Sequence, residues 1–133
     1  WRVQYPGAGG EFGTWDDVES PHLFVVPSDE DVVFILHSRD VLHSFFVPEF
    51  RLKQDAVPGM AIPVWFNVDK AVDDEGGEDK EAIRLYDLIC TELCGWGHYK
   101  MAGRVEVRSR EKFDEWMAEQ EANVMSNGKE DQS

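Results

Sequence analysis

Two thiols, one imidazole and one thioether fall within twelve residues in the stretch Cys90-Thr-Glu-Leu-Cys94-Gly-Trp-Gly-His98-Tyr-Lys-Met101. These are soft or borderline donors, which suit copper, whereas clustered carboxylates would suit magnesium or calcium. Gly95 and Gly97 keep the loop compact enough to turn several side chains onto one point. A further imidazole is available at His43, at the other end of an expected strand pair.

The spacing permits more than one metal. A mononuclear blue-copper site needs two His, one Cys and a weak Met, and His43, Cys94, His98 and Met101 would supply them. Cys90 is then surplus. A second thiolate four residues before the first could share both sulfurs between two coppers, each taking one imidazole from His43 or His98. Met101 and a backbone carbonyl between the cysteines would fill the weak outer positions. The ligand supply therefore matches two coppers better than one. A disulfide between Cys90 and Cys94 is the competing reading from cysteine count alone. Zinc would accept Cys90, Cys94, His98 and His43 but leaves Met101 without a role. His22 and His37 read as surface or satisfied polar residues.

These donors need a scaffold, and strand signals dominate the middle of the chain. Leu23 to Val26 is closed by Pro27, and Val32 to His37 is β-branched and aromatic. Val41 to Val47 is closed by Pro48. Ala61 to Val68 alternates Ile62, Val64, Phe66 and Val68 on one face, with Pro63 marking an edge or bulge. Leu85 to Cys90 and Gly103 to Val107 flank the ligand loop. Short strands with Pro and Gly punctuation predict an all-β sandwich or barrel. Ser109 can cap a short C-terminal helix whose Phe113, Trp116 and Met117 share one face for packing. Residues 69–82 have no apolar periodicity and read as an acidic loop insertion. The expected organisation is a single domain over 1–122, with 123–133 as a flexible C-terminal tail.

Length and charge restrict the function. The 133 residues fit one domain with a core. Thirteen Lys and Arg against 27 Asp and Glu give a net charge of −14, the wrong sign for a nucleic-acid surface. The charge is uneven: residues 1–31 carry −6, while 69–82 and 111–133 carry −5 each. Segments 32–68 and 83–110, which hold the donors, come to 0 and +2. Acid surrounds the site in sequence without lining it, either to steer a basic partner or as a solvated surface. The longest apolar run, Val32 to Leu36, is far short of the roughly 20 residues that span a bilayer. With no Met and no leader pattern before Trp1, the chain reads as a soluble, processed or excised piece.

At these residues the sequence resembles the soluble copper domain of cytochrome c oxidase subunit II, which holds the dinuclear CuA centre. Cys90 to Met101 matches every specified position of that family's C-x-E-x-C-G-x-x-H-x-x-M pattern. Asp40-Val-Leu-His43-Ser-Phe-Phe-Val-Pro48 matches its D-V-x-H-S-F/W-x-V-P element, and Leu52 to Gly59 its L-K-x-D-A-x-P-G turn. The resemblance runs from about Val32 to Val107. It implies a cupredoxin-like Greek-key β-barrel in which Cys90 and Cys94 bridge two copper ions and His43 and His98 bind one each. Met101 and the Glu92 carbonyl would be the weak ligands. In the whole complex the Glu92 carboxylate would also reach magnesium at the boundary with subunit I.

The implied function is electron transfer at the extracytoplasmic, periplasmic face of the membrane. Electrons would come from a c-type cytochrome and pass to haem in subunit I of an oxidase that reduces oxygen and pumps protons. Family members carry two transmembrane helices before this domain, so membrane attachment is expected outside this chain. Trp1 and Tyr5 fit the second half of an aromatic run that follows those helices. Trp1 and Trp96 are candidates for electron entry or partner contact, although Trp96 is equally suited to be a lid over the site. A copper-delivery protein of the Sco type shares C-x-x-x-C and a distant His, but its thioredoxin-like fold calls for a βαβ pattern absent here. The CuA domain of nitrous oxide reductase is the other alternative.

Overall fold

β-branched and aromatic residues form most of the strands; in β1 and β7 they alternate and bury one face, while β3 and β5 are buried almost throughout. The computed structural model describes residues 1–95 and 101–130. Strands β1 (Arg2–Tyr5), β2 (Val18–Pro21), β3 (Leu23–Pro27), β4 (Val32–Leu36) and β5 (His43–Val47) come first. A 3₁₀ turn (Pro48–Phe50), β6 (Leu52–Ala56), β7 (Ile62–Phe66), β8 (Arg84–Cys90), β9 (Ala102–Arg108) and helix α1 (Arg110–Glu130) follow. Five strands make one sheet in the order β3-β9-β8-β5-β6, in which only β3 and β9 run parallel. β4 and β7 pair with each other, as do β1 and β2.

The core lies where the β4–β7 pair faces the large sheet, which curls into a half-barrel. Phe34 of β4 packs edge-on against Phe24 at 5.4 Å and Phe45 at 5.9 Å, and against Phe66 at 5.5 Å. Phe45, Leu88, Val105 and Val107 are fully buried. This is the all-β, cupredoxin-like architecture that the sequence predicts. Pro63 sits opposite Ile35 in a two-stranded pair, where its missing N–H costs little.

Helix α1 starts as predicted and ends later. The Ser109 carbonyl accepts the Phe113 N–H at 2.9 Å, and its hydroxyl accepts the Lys112 N–H at 3.3 Å while donating to the Lys80 carbonyl at 2.9 Å. Phe113, Trp116 and Met117 pack on the core cluster, so the apolar stripe is packing. The helix continues through Asn123 to Glu130, where the sequence predicts a tail. Val124 reaches the core cluster, and the Ser126 hydroxyl donates to the Asn123 carbonyl within the helix at 2.9 Å. Asn123, Ser126 and Asn127 are weak helix formers, which hid this extension; packing overrides their preference. The acidic segment 69–82 is exposed as expected but folds on itself. Val72 bridges Glu78, and the Asp73 carboxylate accepts the Glu75 and Gly77 N–H groups at 3.0 and 2.8 Å.

Tyr5 ties β1 to the main sheet. Its hydroxyl donates to the Val25 carbonyl and accepts the Val25 N–H, both at 2.8 Å, satisfying two backbone groups on the edge strand β3. Burial pushes the phenol well above its ordinary range. The folded state therefore keeps Tyr5 neutral while the unfolded chain ionises above about pH 10. Its contribution is fully present below that value and is lost as pH rises further. Tyr5→Phe should cost about 1–3 kcal/mol near neutrality and flatten the alkaline loss of stability, as read from denaturant melts at pH 8 and 11.

Candidate metal centre

The donors converge because of how the strands pair. β5 runs antiparallel to β8 with Phe45 opposite Cys90, so His43 at the start of β5 lies beside the loop that follows Cys90. That loop returns through Met101 into β9, which is antiparallel to β8. Gly95 takes a φ of 103°, a left-handed conformation that glycine adopts without steric cost, immediately after Cys94. Two strand ends and one loop therefore meet at one end of the sheet.

The geometry is that of a closed donor set. Cys90 Sγ lies 3.6 Å from Cys94 Sγ, too far for a covalent bond of about 2.05 Å. The Cys90 thiol points to the Glu92 carbonyl at 3.4 Å, and Cys94 Sγ lies 3.2 Å from Met101 Sδ. Ligand atoms of His43, Cys90 and Cys94 all fall within 4.8 Å of one another. Burial, then the neighbouring Cys90, pushes the Cys94 thiol upward, because a second thiolate at this distance is unfavourable without a cation.

His43 is oriented by the acid three residues before it. The residue is 8% exposed, and its Nε2 pairs with Asp40 Oδ1 at 2.7 Å. Asp40 in turn accepts the Val41 N–H at 2.8 Å, and these two partners hold its carboxylate below the usual range. Nδ1 is buried without a hydrogen-bond partner among the described residues. A buried imidazole with an unsatisfied ring nitrogen, grouped with two thiols, fits a soft or borderline metal ion.

Of the residues singled out from sequence, His43, Cys90, Cys94, Met101 and the Glu92 carbonyl are brought together. His98 and Trp96 lie outside the described residues. His22 and His37 are exposed, as expected. Sequence reasoning missed Asp40 as the partner of His43, although an acid three residues before a candidate ligand was a readable signal. It also missed Leu93, 87% exposed between the two cysteines, and Leu42 beside His43, 48% exposed. These give the site an apolar rim.

An all-β half-barrel with soft donors gathered at one end of its sheet is a cupredoxin-like domain. Residues 10–108 match the family described as cytochrome c oxidase subunit II, periplasmic domain. The chain belongs to that family. It is 39% identical over 113 residues to heme-copper oxidase subunit 2 of Aeropyrum pernix, covering 85% of this chain and 42% of the relative. It is 35% identical to cytochrome c oxidase subunit 2 of Thermostichus vulcanus, covering 92% and 31%. The chain thus spans less than half the length of these curated relatives. Its fold matches the crystal structure of the periplasmic domain of subunit II of cytochrome oxidase (CoxB) of Bradyrhizobium japonicum. The TM-score is 0.72 at 24% identity, covering 93% of this chain and 87% of that one. A second match, at TM-score 0.59 and 26% identity over 76% and 63%, is a mixed disulfide intermediate between thioredoxin-like TlpA and the same subunit.

Proposed function

We propose that this chain is the electron-transfer domain of a heme-copper oxidase and holds a dinuclear copper centre. The observation that carries the reading is the pair of sulfurs 3.6 Å apart, grouped with the His43 imidazole, whose buried Nδ1 has no hydrogen-bond partner among the described residues. Cys90 and Cys94 would bridge the two ions, His43 and His98 would take one each, and Met101 and the Glu92 carbonyl would stand as weak ligands. Bound there, the copper centre would supply a one-electron redox couple.

The protein's part is to hold the donors still. The described donors already converge at strand ends, and Asp40 holds the His43 ring through its Nε2. A scaffold that fixes its ligands beforehand keeps reorganisation small during electron transfer. Uptake of metal releases the thiol protons and stabilises the fold. In the assembled complex the domain would receive electrons from a c-type cytochrome and pass them to haem in subunit I, where oxygen is reduced and protons are pumped. Magnesium at the Glu92 carboxylate would belong to that complex alone. The exposed Leu93 and Leu42 give a partner an apolar contact, and the surrounding acid suits a basic cytochrome. The association rate should fall as ionic strength rises; a rate indifferent to salt would remove the steering role.

The all-β fold disfavours the Sco-type reading, which needs a thioredoxin-like core, and the family match disfavours nitrous oxide reductase. EPR and visible spectra of the copper-loaded domain test the proposal. A purple colour with hyperfine splitting from one electron shared by two copper nuclei supports it. Splitting from a single nucleus would move the blue-copper reading ahead.

A further inference from the structure

Trp1 touches the candidate site at two points contributed by different elements. Its indole Nε1 donates to the Met101 carbonyl at 3.2 Å, across a sequence separation of 100 residues. The same ring stands edge-on to the His43 imidazole at 6.0 Å and to Phe45 at 5.5 Å. His43 is therefore held by the Asp40 carboxylate on Nε2 and by the indole on its ring. Met101, the last residue before β9, is held through its backbone.

The tryptophan is itself anchored. Its carbonyl accepts the His22 N–H at 3.0 Å, and the His22 carbonyl accepts the Arg104 N–H at 2.8 Å. Gly103 makes the second bond possible, since a Cβ there would come within 2.9 Å of the His22 oxygen. The backbone of Trp1 is thereby tied to β9 two to three residues beyond Met101, while its side chain holds Met101 itself. Met101 is thereby linked to β9 through Trp1 and His22 as well as through the chain itself.

We infer that Trp1 is a positioning residue of the metal centre: it sets where the Met101 thioether and the His43 imidazole stand relative to the two cysteines. The inference rests on the copper reading above. It gives Trp1 a role in the site's geometry that does not require Trp1 to carry an electron.

Trp1→Phe keeps an aromatic ring against His43 and Phe45 but removes the N–H that holds Met101. In the copper-loaded chain it should weaken copper retention against a competing chelator about tenfold, the lower end for loss of a group that orients a ligand. It should also change the copper hyperfine splitting and visible bands. Trp65→Phe, at a residue 67% exposed on β7, should change neither. The metal-free melting temperature of each variant separates positioning from general loss of structure. An unchanged spectrum and copper retention in Trp1→Phe overturns the inference, whether or not the metal-free protein is less stable. Failure of the unsubstituted chain to bind copper overturns the reading beneath it, and the two failures are distinguishable because the second appears before any substitution.

Discussion

Copper-loaded Cys94→Ser is expected to lose the spectrum of an electron shared between two nuclei and to retain one copper per chain at most. Cys94 is the sulfur through which the donors connect: its Sγ is 3.6 Å from Cys90 and 3.2 Å from Met101, and it belongs to the group that includes His43. A serine hydroxyl is nearly the same size but is a hard donor that stays protonated near neutrality. It cannot supply the second bridging thiolate. The fold should be almost indifferent to the change. Cys94 lies on the loop and is only half-buried, and such substitutions typically move stability by no more than about 0.5 kcal/mol. The measurement is copper content beside EPR, with a metal-free melt as control. Two coppers with the shared hyperfine pattern intact would show that Cys94 is not a bridge. Cys90→Ser should have the same spectroscopic effect at a larger cost in stability, because Cys90 is buried at the end of β8.

The site was legible in sequence to the extent that its donors sit close together along the chain. Cys90, Glu92, Cys94 and Met101 fall on one loop, where residue type and spacing carry the information. His43 was legible because it falls within the strand signal Val41 to Val47, closed by Pro48. Trp1 and Met101 meet across 100 residues, and nothing local to either marks the contact. The strands divide the same way. β3, β4, β5, β7, β8 and β9 carry most of the Val, Ile, Leu and Phe of the sheets; β7 alternates between faces, while β3 and β5 are buried almost throughout. β6 reads Leu52-Lys-Gln-Asp-Ala56, with no apolar run to mark a strand; it is one because it completes the edge of the five-stranded sheet beside β5. β1 and β2 are four residues each and pair only with each other, so backbone pairing and Tyr5 define them more than side-chain pattern does. For Trp1 and Tyr5 the determinant is a partner distant in sequence, and for β6 it is pairing with the adjacent β5; local propensity reports neither.

Phe45→Ala should be the most destabilising of these substitutions and should join the fold's stability to the site's. The ring is fully buried and touches Phe24 at 6.0 Å, Phe34 at 5.9 Å and Trp1 at 5.5 Å. Removing it leaves a cavity lined by three aromatic rings that cannot collapse independently, a loss of about 3–5 kcal/mol. That corresponds to a fall in the metal-free melting temperature of roughly 10–20 °C in a chain of this size. Because Phe45 is two residues from His43 and opposite Cys90, the loss occurs at the strand pair that brings imidazole and thiol together. Copper held more tightly by the folded form than by the unfolded chain should restore part of the lost stability, by an amount that grows with free copper. Thermal melts of both proteins with and without copper make the comparison. If the variant's metal-free melting temperature fell by only a degree or two, the interior would be packed around something other than this aromatic cluster. If copper stabilised both proteins equally, Phe45 would support the barrel without supporting the site. A smaller copper-induced rise in the variant is the expected result, because His43 and Trp1 would both lose the ring they pack against.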